Sequence, residues 1–410
     1  MAMALVTELE LPAFDYTDPT LRGPRYHETM AGLRARGWLA ASEMGYFVLD
    51  REAVEFFLKS RSVTFPGMQV AEVFGVTDGP LYDEISRNIL NIDGEDHRRL
   101  RNLVNPALTP RAVERYRPAM REFLASLVET VADDGRCEFV EAVAKPYPSL
   151  VIATVMGAPL SDAPRLHHWS NWIQRQFSAD LADKRDVIEQ AVVEFYDYVG
   201  TLLERRRDDP SDDLISKLLA AEFEGDRLSE VELVNLVLNV LIGGVDTSQS
   251  QLTHAVRLLA QHPDQWELLA ADPSLAPRAA DEALRFEPIV PFTARIVVED
   301  VEYRDVTFPA GSIVMVSAFD ANRDPRAWRG SEDGSLDRFD ITADRDGVKP
   351  MTFGAGIHYC LGANLARAEL QEALAFLPSA MPGLRLDGEP VYDSINGIYG
   401  LERLPVRWDA

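Results

Sequence analysis

Only two of the 410 residues are cysteines, Cys137 and Cys360, and Cys360 lies in "FGAGIHYCLG", residues 353–362. Three glycines and a histidine surround it. The stretch that follows, "LGANLARAELQEALAFL", has a helical pattern with Leu370, Leu374 and Leu377 on one face, and Pro378 is expected to end it. A thiol at the start of a helix is biased toward thiolate by the helix dipole and the free amides, and glycines before it permit a tight turn aimed at the sulfur. A stable buried thiolate needs a cation. With no second cysteine nearby, the best candidate is a metal that brings most of its own ligands. Haem meets that demand, because the porphyrin supplies four and the protein one.

The second stretch is "GGVDTSQ", residues 243–249, in the middle of an apolar helical run. Ser229 and Glu232 form a capping box that opens this helix, which is expected to continue to about Gln261, roughly 50 Å in all. "LVNLVLNVLIGGV" is apolar on nearly every side, so the helix should be buried. Two adjacent glycines cost a helix roughly 1 kcal/mol each relative to alanine, so something large should lie against that backbone. The helix alone leaves two readings open for Asp246 and Thr247. One is a tight helix crossing with Thr247 bonded back to a carbonyl; the other is acid–alcohol chemistry on a bound group.

The cysteine stretch resembles the haem-thiolate signature of the cytochrome P-450 superfamily at all six fixed positions: Phe353, Gly354, Gly356, His358, Cys360 and Gly362. "EALR", holding Glu282 and Arg285, "ANRDP" (321–325) and "DRF" (337–339) resemble further landmarks of that family in order, and "DHRRLRNLVNPALTPR" (96–111) resembles its C-helix. The resemblance covers roughly residues 12–408. It departs at Pro350, where many bacterial relatives carry His, and at Gly243, where Ala is common.

The resemblance implies a mainly α fold with small β-sheets, an α+β architecture with the haem between a long distal helix and a proximal cysteine-bearing loop and helix. It implies haem b with Cys360 as axial ligand, in a loop shaped by Phe353, Gly354 and Gly362. His97, Arg101, Arg295 and His358 would meet the propionates, since carboxylates entering a low-dielectric interior need charge-assisted donors. Glu282, Arg285 and Arg338 would form a buried structural network that fixes the cysteine loop.

In this setting Thr247 would steady bound dioxygen and Asp246 would relay protons. The implied activity is that of a monooxygenase (EC 1.14), using O2 and two external electrons to hydroxylate, epoxidise or dealkylate a small apolar molecule. Family position places Val70, Val73 and Phe74, then Gly243 and Val245, then Val290 and Phe292, and lastly Ile395 and Ile398 around the substrate. A haem protein that only binds gas, and a peroxide-driven peroxygenase, are the alternatives; the Asp-Thr pair favours dioxygen. The electron donor is expected to be an acidic iron–sulfur ferredoxin with its NAD(P)H-dependent reductase. It would dock on Arg98, Arg99, Arg111 and Arg115, in a basic stretch that also holds Arg117 and Arg121, with Arg367 expected to join the same patch.

The elements that must position these groups are mostly helical, as in "REAVEFFLKS" and "RDVIEQAVVEFYDYVGTLLERRR". Strand signals fall at 45–50, 294–298 and 311–317, and 322–358 reads as irregular. No linker separates domains, and residues 1–410 are expected to form one haem domain without a fused reductase or ferredoxin. The net charge of -25 argues against a nucleic-acid partner. Two cysteines exclude a disulfide scaffold and a cysteine-rich zinc site, and suit a reducing cytoplasm. Neither a signal peptide nor a membrane span is expected, and the protein is read as a monomer with Cys137 a bystander.

Overall fold

The computed structural model describes residues 3–178, 180–221, 225–328, 335–345 and 347–409. About 58% is helical, with several small sheets, so the fold is α+β as expected. In chain order the elements that bear on function are α1 (Gly23–Arg34), β1 (Leu39–Ser42), β2 (Gly45–Val48), α2 (Arg51–Lys59), β3 (Val63–Thr64), α3 (Gly67–Val73), α4 (Gly79–Arg87), α5 (Gly94–Val104), α6 (Arg117–Glu129), β4 (Arg136–Glu138), α7 (Pro146–Met156), α8 (Ala163–Gln174), α9 (Leu181–Asp208), α10 (Glu230–Gly244), α11 (Asp246–Ala260), α12 (Ala276–Phe286), β5 (Phe292–Val297), β6 (Ile313–Ser317), α13 (Ala363–Ala380), β7 (Arg385–Leu386) and β8 (Pro405–Arg407). They belong to two compact units, each drawn from separated parts of the chain. One comprises Met1–Pro66, Asp281–Cys360 and Tyr392–Gly400; the other comprises Gly67–Ala280, Leu361–Val391 and Leu401–Ala410.

The first unit is built on a five-stranded sheet of order β1-β2-β6-β5-β3. β2 and β6 run parallel, and the other neighbours are antiparallel. Alternation along the strands sorts the side chains by face. Val48 and Val316 join Val54 and Phe57 of α2 in one cluster. Phe47 and Phe292 point the other way, into an aromatic cluster with Phe14, Tyr26 of α1, Phe319 and Tyr399. Asp50 caps α2 by accepting from the Ala53 amide at 2.8 Å.

The second unit is helical. Its small sheet of order β7-β8-β4 seats Cys137 opposite Val406, where burial pushes the thiol up to about 12 and leaves it inert. The capping box of Ser229 and Glu232 opens α10 as expected. The helix is not continuous, however. It breaks at Val245 (φ -95°, ψ -74°), and the Thr247 hydroxyl donates to the Gly243 carbonyl at 2.5 Å. Such back-bonding competes with the regular ladder and bends helices. The halves stay joined, since the Val245 amide still reaches Leu241 O and the Gln249 amide reaches Val245 O. By length and composition alone Glu230–Ala260 is apolar enough to cross a membrane, but 67% of its most apolar stretch is buried within the protein, as in a core helix.

Pro378 does not end its helix either. α13 runs on to Ala380 with Pro378 inside, and the Met381 amide closes it on Leu377 O. A proline three residues from the end costs only one amide donor where the ladder is already terminating. Leu370, Leu374 and Leu377 are buried together as the spacing predicts.

Candidate haem site

In the first unit the loop before α13 holds Cys360 by backbone geometry. Gly354 (φ +70°, ψ -160°) and Gly356 (φ +73°) adopt conformations that L side chains rarely take. A Cβ at Gly356 would lie 2.5 Å from the Leu58 carbonyl oxygen at the end of α2. This close approach is what requires glycine there. The Cys360 amide donates to Phe353 O at 2.9 Å, closing the loop on itself. Cys360 is half-buried at its end.

A buried polar network anchors this loop. Glu282 and Arg285 of α12 pair through two bonds of 2.7 and 2.8 Å. Asn322, in "ANRDP", accepts from the Met351 amide at 2.6 Å. Its amide nitrogen donates to Arg285 O and to Thr352 Oγ1, both at 3.1 Å. The third charged member is Arg345, not Arg338. Arg345 donates twice to Glu282, at 3.1 and 2.8 Å. Arg338 is exposed and contributes only its carbonyl, 3.1 Å from Arg285 Nη2. The loop turns so that the side chain seven residues later faces inward. Burial pushes the Glu282 carboxyl up, but hydrogen bonds and charge from Arg285 and Arg345 outweigh it and hold the group below its ordinary value.

In the second unit the two glycines of "GGVDTSQ" divide the two readings between them. Gly244 serves the helix crossing, since a Cβ there would meet Ile152 Cδ1 of α7 at 2.4 Å. Gly243 is exposed, and a Cβ there would meet nothing within 4 Å. Gly243 and the half-exposed Thr247 make a shallow strip on a helix otherwise mostly buried. Asp246 opens α11 and is buried against α8, where Ser170 Oγ donates to it at 2.5 Å and Asn171 Nδ2 at 3.4 Å. Desolvation raises its pKa, opposed by Ser170, by His167 and by Asn171.

Sequence reasoning missed Glu369. It is buried on α13, accepts a short hydrogen bond from Ser248 Oγ, and has an Oε1 without a hydrogen-bond partner. Burial pushes its carboxyl up to about 8. The signal was available: Glu369 stands four residues from both Leu365 and Ala373 on the buried stripe.

Other assigned residues divide. His97 and Arg101 lie one turn apart on α5, His97 buried and Arg101 half-exposed. Arg295 on β5 is buried with Nη1 donating to Ala294 O, and His358 is half-exposed. The residues assigned to substrate lie in differing surroundings. Phe292 packs 5.0 Å from Phe47 in the aromatic cluster with Ile395, and Val245 is fully buried at the helix break. Val73 is 82% exposed and Val70 also faces solvent. Phe74, Val290 and Ile398 are half-exposed.

The basic stretch is not a free cationic face. Arg99 pairs with Glu232 and Asp226, and Arg115 with Asp212. Arg117 and Arg121 both grip Glu372. Arg98 and Arg111 are exposed, and Arg367 is half-buried.

The residues fit a haem on two counts. Among the described residues no group of three His, Cys, Asp or Glu side chains could hold a metal. Cys360, half-buried at the end of a loop closed on Phe353 O, suits a metal whose other ligands come from a porphyrin. The strip at Gly243 and Thr247 likewise suits a face that must admit a small ligand.

A family model described as Cytochrome P-450 matches residues 41–271 and 274–377. The luteothin monooxygenase of Streptomyces thioluteus is 33% identical over 405 residues, 98% of this chain and 97% of that protein. The vitamin D(3) 25-hydroxylase of Pseudonocardia autotrophica is 39% identical over 320 residues, 77% of this chain and 76% of that one. Among solved structures, that of CalO2 superposes with a TM-score of 0.88 at 32% identity, covering 97% of this chain and 99% of the other.

Proposed function

The chain belongs to the cytochrome P-450 family, and from that membership we propose that Cys360 would supply the thiolate that holds its haem b and that Thr247 and Asp246 would serve oxygen activation. The enzyme is a haem-thiolate monooxygenase. The observation that carries the assignment is the Cys360 loop, pinned by Asn322 and the Glu282–Arg285–Arg345 network and shaped by two left-handed glycines.

When bound, the haem supplies reductive activation of O2 and transfer of one oxygen atom to substrate. The protein's share is to position and to protonate. His97, Arg101, Arg295 and His358 would hold the propionates by charge-assisted bonds. The Thr247 hydroxyl keeps its proton on the Gly243 carbonyl, beside the open strip, where a rotation of the side chain presents it to a ligand. Asp246 and Glu369 are acids whose burial favours the protonated form, so each can store a proton near that hydroxyl.

The substrate is read as a small apolar molecule, with Gly243 and Phe74 of the second unit and Val290 and Ile398 of the first as the residues proposed to meet it. The donor is read as an acidic ferredoxin meeting Arg98, Arg111 and Arg367, of which the first two are exposed and the last is half-buried. The enzyme is placed in the cytoplasm as a monomer, where reduced carriers are supplied.

The test is the reduced carbon-monoxide spectrum. Wild type and Cys137→Ala should give the red-shifted thiolate band, and Cys360→Ala should lose it. A histidine-type spectrum in the wild type would sink the ligand assignment.

A further inference from the structure

Asp246 is buried, yet it must recover a proton from solvent each time it gives one up. The side chains that cover it share one face of α8. His167, Ser170 and Asn171 follow at i, i+3 and i+4, while Arg165 and Trp169 lie on the opposite face. That opposite face belongs to α9. The Trp169 indole donates to Glu194 Oε2 at 3.0 Å, and the Arg165 guanidinium lies 4.8 Å from the Trp169 ring and 5.4 Å from the Tyr198 ring.

The Asp246 face is built differently. Ser170 is fully buried and donates to one carboxyl oxygen at 2.5 Å, and Asn171 is exposed and donates to the other at 3.4 Å. His167 is half-buried, and its Nε2 lies 3.2 Å from Oε1 of Gln249, which stands about one turn along α11 from Asp246. A carboxamide oxygen only accepts, so Nε2 carries the hydrogen and Nδ1 is the atom that gains and loses a proton. Charge on His167 acts on the carboxyl, against the desolvation that pushes its pKa up. The elements packed around α8 bring little competing charge to this face. α7 has no charged side chain, and the acids of α10 stand in its first turn. Arg175, just past the end of α8, is paired with Asp180 at 2.9 Å. On α11 the next titratable or charged side chains, His254 and Arg257, are two turns or more from Asp246.

We propose that α8 forms the solvent end of the proton path to Asp246: Ser170 and Asn171 hold the carboxyl in place, and His167 is a positioning residue that returns protons from water to it. This deepens the role assigned to Asp246 above and rests on it. The imidazolium releases one proton as the carboxylate gains one, then takes another from water at Nδ1. Charge balances, and nothing is oxidised or reduced.

The test is a histidine titration by NMR on the haem-loaded protein, reduced and bound to carbon monoxide so that the iron is diamagnetic. The chain has 7 histidines, and His167→Gln identifies the resonance. Asp246→Asn should lower the His167 midpoint by roughly half a unit to one unit, because an ionised neighbour stabilises the imidazolium. The second readout is NAD(P)H oxidation with a surrogate ferredoxin and its reductase, without substrate, between about pH 6 and 8. The wild-type rate should fall as pH rises through the His167 midpoint, since neutral imidazole has no spare proton to return. His167→Gln should be about three- to tenfold slower at the acid end and nearly flat across that range. His168→Gln alters an exposed neighbour beside Glu194 and should match the wild type in both readouts. An unmoved His167 midpoint in Asp246→Asn, or a slower His167→Gln that keeps the wild-type pH profile, would overturn the proposal. Both outcomes would leave the thiolate carbon-monoxide band intact, so the haem reading would stand.

Discussion

Glu282 and Glu369 are both buried carboxylates, one behind the cysteine loop and the other behind the helix that breaks at Val245. Glu282 faces two guanidiniums and a backbone amide, and its pKa is held down. Glu369 has one serine hydroxyl and an unpartnered oxygen, and its pKa is driven up to about 8. The contrast separates two duties. An ionised acid locked between cations fixes geometry, because any movement strands charge. A neutral acid with a spare oxygen holds a proton that can leave.

Removing the locked acid should have the largest effect. Glu282→Ala leaves Arg285 and Arg345 as uncompensated charges, with an expected loss of roughly 3–5 kcal/mol and poor haem retention. Denaturant unfolding and the haem-to-protein absorbance ratio measure both. Normal stability with full haem content would show that the network does not carry the loop.

The two acids should also depend on pH with opposite sign. Glu282, depressed in the fold, contributes stability that is present above about 4.5 and lost as pH falls through its lower folded value. Glu369 favours the folded state below 4.5, and that contribution is lost as pH rises from 4.5 to about 8. Glu369→Gln mimics the neutral form. Its urea stability should therefore stay flatter between pH 5 and 8, with a differential on the order of 2–4 kcal/mol. Parallel pH curves for the two proteins would remove Glu369 as a proton store.

The smallest effect sharpens the comparison within the distal helix. Gly244→Ala pushes a methyl onto Ile152 and should destabilise by about 1–3 kcal/mol. Gly243→Ala meets open space and should stabilise by up to ~1 kcal/mol through helix propensity. It should nonetheless weaken carbon monoxide binding, as the ligand face proposed at Gly243 requires. Similar stability in both variants would mean the glycines are not divided as described.

Much of this was legible in the chain. The spacing around Cys360, the Ser229–Glu232 capping box and the Glu282–Arg285 pair are local patterns, and local patterns survive folding. Arg345 was not legible, because irregular backbone has no period to say which side chain turns inward. The basic stretch misled for a related reason. Its charges are local, but the acids that neutralise Arg99 and Arg117 lie 133 and 255 residues away. Phe292 was assigned to substrate by position, whereas strand alternation beside Phe47 sends it into the aromatic cluster.

Asn322 carries a consequence for which amino acids its position can accept. Its carboxamide presents an acceptor to Met351 and a donor to both Arg285 O and Thr352, so the two ends of one planar group read opposite polarities. Aspartate has the shape but no donor, leucine the volume but neither function, and glutamine reaches one methylene too far. The position is a lock with a single key: a mutational scan of the chain should find less tolerance at this buried, uncharged residue than at most of the charged surface.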